Sequence, residues 1–340
     1  MIVARSRFPL LLAASLALLA LLVLWSFSVG RFPVGAGDAF RALWSAITGQ
    51  ASGLAPNVDA IVLQVRAPRV IAAVAVGAAL SAAGASYQAL FKNPLVSPDI
   101  LGVTAGCALG AALAVLLSLP AVAIQAFAFA GGLAAVVLVI AIARAVRGHD
   151  PLLTLILAGV VIGSVFGAGI ALAKYVADPY NQLPAITFWL LGSFSGVLPR
   201  DLLPMLVPLA IGLVPLALLR WRIDVLALSD EEARSLGLPV SLLRGIVIAS
   251  ATLATASAVS VAGTIGWVGL VIPHAARLLT GAPFARVLPL SLVLGAGFML
   301  AVDTLCRSAF ATEVPPGVVT AFVGTPVFVL LMAVSFRRRA

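Results

Sequence analysis

Few side chains in this 340-residue chain could do chemistry, and their spacing argues against most of the chemistries available. A zinc site needs several His, Cys or carboxylate ligands at short spacing, as in HExxH. His149 and His274 stand far apart without such neighbours, and His274 reads as a helix-end or packing residue. Cys107 and Cys306 lie in or beside apolar segments with no CxxC, and read as structural thiols. A P-loop places its lysine directly after a glycine. The lysines here, Lys92 and Lys174, follow Phe91 and Ala173, so the chain cannot hold ATP that way. No GxSxG elbow occurs, and acids are too sparse within the apolar runs for a buried triad. Ionisable groups inside a membrane mark coupled pumps. Asp303 and Lys174 fall near the outer ends of their runs, where each could reach the interface. We therefore expect no catalytic residue, no metal and no bound cofactor.

Three other patterns carry physical content. Ser229 and Glu232 form an S-x-x-E capping box, Asp230 and Glu231 complement the helix dipole, Arg234 follows, and Gly237 with Pro239 ends the helix. Arg66 and Arg69 flank Pro68 at the start of one apolar run, and Arg307 follows another. Gly159, Gly163 and Gly167 recur every fourth residue, a face that lets helices approach closely. From spacing alone these fit a tidied loop, interfacial snorkelling and plain packing as well as they fit function.

The elements that must position them are membrane helices. Hydrophobic residues make up 62% of the chain and charged ones 10%, too few to cover a water-soluble surface. The net charge of +9 forms no basic stripe, which excludes nucleic acid as a partner. Apolar runs fall at 8–29, 68–91, 99–117, 121–143, 152–176, 201–221, 245–262, 267–280, 287–306 and 316–336, about ten spans. The first is too long for a signal h-region and is read as an uncleaved span. An even count puts both termini on one side. Arg5, Arg7, Arg337, Arg338 and Arg339 make that side the cytoplasm, and the loops then place fourteen of the 21 basic residues inside. Residues 177–200, broken by Pro179, Pro184, Gly192, Gly196 and Pro199, read as a short outer-face helix with Phe188 and Trp189 in the interfacial belt. Asn93–Gly102 reads as a turn into a short third helix.

The segment from Arg66 to Ala114, RAPRVIAAVAVGAALSAAGASYQALFKNPLVSPDILGVTAGCALGAALA, resembles the FecCD permeases, which import siderophores, haem and vitamin B12. LAGVVIGSVFGAG (157–169), LPAITFWLLGSFSG (183–196), LSDEEARSLGLPV (228–240), GTIGWVGLVIPHAARLLTG (263–281) and PPGVVTAFVGTPVFVLLM (315–332) continue the match in the family's order.

The resemblance implies an all-α polytopic bundle, the type II ABC importer permease fold, as one domain over 1–340 with a coupling-helix loop at 224–244. It implies a homodimer in the bacterial inner membrane, two ATP-binding subunits beneath it that hold ATP and Mg, and a periplasmic substrate-binding protein above. Ser229, Asp230, Glu231, Glu232, Arg234 and Gly237 then belong to the helix that seats in the ATPase. Arg66, Arg69 and Arg307 match arginines that dock acidic residues of the binding protein. Gly159, Gly163 and Gly167 lie beside the translocation path or the dimer interface. The expected cargo is a ferric siderophore or haem, with cobalamin or an oxyanion such as molybdate as alternatives. A secondary transporter or channel is the rival class, and it would need mid-membrane charges or a filter that the sequence does not offer.

Overall fold

The structure is a computed structural model that describes residues 2–30, 32–146, 150–309 and 312–337. His149, Arg147, Arg338 and Arg339 lie outside the described residues, as do the side chains of Arg5, Arg7 and Arg337. The described chain contains no strand. It runs α1 (Ile2–Ser28), α2 (Ala36–Thr48), α3 (Pro56–Ala60), a π turn (Ile61–Arg66), α4 (Ala67–Leu90), a 3-10 turn (Pro98–Leu101), α5 (Val103–Leu116), α6 (Ala121–Val146) and α7 (Pro151–Val176). There follow α8 (Gln182–Leu191), α9 (Pro199–Leu218), α10 (Arg220–Val225), α11 (Asp230–Ser235), α12 (Val240–Ala262), α13 (Val268–Thr280), α14 (Phe284–Ser308) and α15 (Pro316–Arg337).

Each of the ten expected spans is a helix. Eight are long and apolar enough to cross a membrane. The other two, α5 with 14 residues and α13 with 13, extend only about 20 Å. Each is preceded by irregular backbone, the 3-10 turn before α5 and residues 263–267 before α13, which a membrane protein tolerates where protein covers it. Residues 182–191 form a ten-residue helix, not an eleventh span. Its Gln182 side chain donates to the carbonyl of Leu116 at the end of α5 (3.0 Å), which fixes α8 at the end opposite Lys92.

The bundle is built around α4, whose run of Ala, Gly and Ser leaves it buried on nearly every side by α14, α12, α13 and α9. Small residues are required there: a Cβ on Gly77 would strike the backbone of Gly295 in α14. Larger residues face outward instead, as Leu16, Leu21 and Leu24 on α1, Val137 on α6, Leu157, Val161 and Val165 on α7, and Phe322 and Leu330 on α15. This is the inverse of a water-soluble packing and matches a lipid surround, in which packing and not hydrophobicity joins the helices.

Candidate docking and coupling sites

Arg66, Arg69 and Arg307 come together at one end of the bundle, the end of α4 opposite Lys92. The Ala67 N–H bonds the carbonyl five residues back, at Val62, and this π turn leads directly into α4 with Arg66 and Arg69 three residues apart. Arg69 is the hub. Its Nε donates to both oxygens of Asp303 (2.9 and 3.0 Å) and its Nη2 to Asp303 Oδ1 (2.7 Å). The same guanidinium reaches Glu313 through Nη2 (2.6 Å) and Nη1 (3.2 Å). Such forked pairing is what the planar arginine side chain does best.

The other two arginines close off α1. Arg66 donates to the carbonyls of Phe27 and Phe32, and Arg307 to the carbonyl and hydroxyl of Ser26, the latter at 2.7 Å. Ser26 and Phe27 lie in the last turn of α1, where carbonyls lack intrahelical partners and the dipole favours cations. Arg307 Nε also stands 3.8 Å from Asp303 Oδ2.

Two readings change here. Asp303 does not reach toward the interface but is fully enclosed, at 0% exposure, because Arg69 and Arg307 approach it from within. Nor do the three arginines snorkel to the interface, as their spacing alone allowed: each is buried and already bonded inside the chain. Glu313 completes the cluster and was missed in the sequence, since no spacing rule links residues 69 and 313.

At the opposite end, α11 has the expected cap. The Ser229 Oγ accepts from the Glu232 N–H (3.2 Å), and Glu232 Oε2 accepts from the Ser229 N–H (2.9 Å) and hydroxyl (2.8 Å). These bonds, the backbone one foremost, hold the Glu232 carboxyl below the usual carboxylate range. Gly237 takes φ +77, the left-handed conformation that closes a helix, and its N–H bonds Arg234 O (2.9 Å).

The short helix is fastened to the bundle. Asp230 receives a bidentate pair from Arg244 of α12 (2.6 and 2.9 Å) and lies 3.8 Å from Arg234. Lys92, just after α4, donates to the carbonyl of Leu228. Asp224, at the start of the loop, accepts from the first N–H groups of α14, at Phe284 and Ala285. The helix α11 is therefore bonded directly to α12, and its flanking loop to the segment after α4 and to the start of α14. Its outer side carries Glu231, Arg234 and the exposed apolar side chains of Leu228 and Leu236.

The three glycines of α7 divide. A Cβ on Gly159 would collide with the carbonyl of Ile100 in the 3-10 turn, so this glycine serves packing within the chain. Gly163 and Gly167 face open space on a helix that also exposes Val160, Val161 and Val165. His274 is buried on α13 with its ring edge-on to Phe328 of α15 (6.2 Å), the packing role expected of it, and both cysteines are buried thiols.

The sequence pattern of the FecCD transport family matches residues 18–334. The chain belongs to that family. The molybdate import permease MolB of Haemophilus influenzae is 36% identical over 96% of each chain. The Fe(3+)-citrate import permease YfmE of Bacillus subtilis is 36% identical over 98% of each. A solved inward-facing structure of a metal-chelate type ABC transporter superposes with a TM-score of 0.85 at 33% identity, covering 96% of this chain and 99% of that one. The FecCD chain described here is thus an ABC importer permease and an integral membrane protein, and the all-α bundle expected from its sequence is its fold.

Proposed function

We propose that this permease imports a ferric complex, a siderophore or haem, from periplasm to cytoplasm of a bacterial inner membrane, as a homodimer with all four termini cytoplasmic. Two ATP-binding subunits, which hold the ATP and Mg, seat on α11, and a periplasmic substrate-binding protein docks at the arginine cluster. The carrying observation is α11 itself: a capped helix with exposed Leu228 and Leu236, tied by Arg244 and Lys92 to α12 and α4. A helix that merely closed a loop would need neither an exposed apolar pair nor ties to two central helices. Nucleotide-driven closure of the ATPases would pull on α11 and tilt those helices, changing which face of the dimer is open. The chain carries no covalent chemistry in this reading.

Gly163 and Gly167 face outward on α7 and leave room for the same helix of a second copy. The iron reading draws on YfmE. Molybdate is the second reading, because MolB covers the same share of both chains. Accumulation of radiolabelled ferric siderophore, haem, cobalamin or molybdate in proteoliposomes holding the permease, its ATPase and its binding protein decides among them. ATP-dependent uptake of the ferric complex is expected, and uptake of molybdate alone replaces it. Failure of any ATPase to associate with the chain, or its unchanged association after Glu231→Arg/Leu236→Asp, removes the coupling assignment.

A further inference from the structure

We infer that Glu313 is an internal stand-in for a docking carboxylate: it occupies Arg69 in the resting permease and is exchanged for a carboxylate of the substrate-binding protein when that protein arrives. The inference rests on the docking reading above and goes beyond it by naming the group that must first leave.

The two carboxylates on Arg69 are not equivalent. Asp303 is fully buried on α14 and bonded through the arginine's Nε face. Glu313 lies in the linker between α14 and α15, its side chain 28% exposed, and takes the outer Nη face. Of the two, Glu313 lines a cavity of about 270 Å³ together with Arg66, Arg69 and Arg307, rimmed by exposed Val65 and Phe32. Three guanidiniums face two carboxylates, and Arg66 is bonded only to carbonyls in its two bonds to Phe27 and Phe32, which neutralise none of its charge. The cavity therefore keeps an excess positive charge that a third carboxylate complements. An incoming carboxylate would meet Arg66 and Arg69 together, whereas Glu313 meets Arg69. The Glu313 side chain is already partly in solvent, so on release it regains water in exchange for the lost pair.

The exchange has a mechanical consequence. Val314 and Pro315 join Glu313 to α15, and the first turn of α15 is close-packed, with Gly317 lying where a Cβ would strike the Leu191 carbonyl of α8. Freeing Glu313 releases the entry to α15 from the outer end of α4.

The test measures binding of the cargo-free binding protein of the same transport system to the permease in nanodiscs. Glu313→Gln, which keeps shape and removes charge, is expected to lower Kd about fivefold. In an Arg69→Gln background the same change is expected to have no effect. A nitroxide on Thr312→Cys should gain mobility when the binding protein is added to the otherwise native permease. Unchanged or weaker binding by Glu313→Gln, or an unmoved nitroxide, overturns the exchange while leaving docking intact, provided Arg66→Glu still weakens binding. Wild-type affinity in Arg66→Glu overturns docking and the exchange together.

Discussion

A guanidinium that serves two carboxylates at once, inside a membrane protein, makes each partner matter out of proportion to its size. Removing one member of a buried ion pair strands the other. Asp303→Asn keeps the volume but leaves Arg69 with Glu313 alone and Arg307 with Ser26. We expect a loss of about 3 kcal/mol, read as a lowered midpoint of thermal unfolding in detergent. Glu313→Gln, at the partly exposed edge, should cost less than about 1 kcal/mol in the same assay. At this scale the sequence was only partly legible. Arg66, Arg69 and Arg307 stood out because outer arginines run against the inside bias, but their partners did not. Asp303 and Glu313 lie 234 and 244 residues from Arg69, and no local periodicity encodes such a pairing.

Among the elements, α11 was the most legible because capping is a local code: the residues that make it are within eight positions of one another. Ser229→Ala should cost the helix about 1 kcal/mol and reduce hydrogen-exchange protection across 229–237. The cap also sets a pH dependence. The Glu232 carboxyl sits below its unfolded value of about 4.3, so its contribution is complete above that pH and is lost as pH falls through the lower folded value. Protection of α11 should therefore decline on acidification in the wild type and be less pH-sensitive in Glu232→Gln. The helix α2 was illegible for the opposite reason. It is amphipathic, with Ala39 and Ala42 buried and Phe40, Trp44 and Ile47 exposed, and too short and too polar to register as an apolar run. Likewise the π turn before α4 leaves no compositional trace, though it ends in Arg66 and leads to Arg69 on the helix path.

For the molecule as a whole, the span count could be read because lipid imposes a length on every crossing segment. The expected 68–91 and 152–176 differ by about a residue from α4 and α7, whereas α12 begins five residues before its apolar run, at Val240, because Arg244 sits inside the helix. What could not be read was which small residues face another helix of the same chain and which face outward. The structure separates Gly159 from Gly163 and Gly167, and the separation is testable. With both native cysteines buried and unreactive, Gly163→Cys or Gly167→Cys should form a disulfide-linked dimer in membranes under mild oxidation, and Gly159→Cys should not. Crosslinking at none of the outward positions would remove α7 from the dimer interface.

The pairing of Arg69 with Asp303 also bears on how the protein is made. Synthesis at about 5 to 20 residues per second separates the two by roughly 10 to 50 s, during which α4 has left the ribosome and α14 does not yet exist. Throughout that interval Arg69, in the first turn of α4, lacks its counterion, at a cost below the roughly 3 kcal/mol of a mid-depth arginine. A helix as rich in alanine and glycine as α4 has little apolar surface with which to offset that cost. The second span thus gains its counterion only when the ninth arrives beside it.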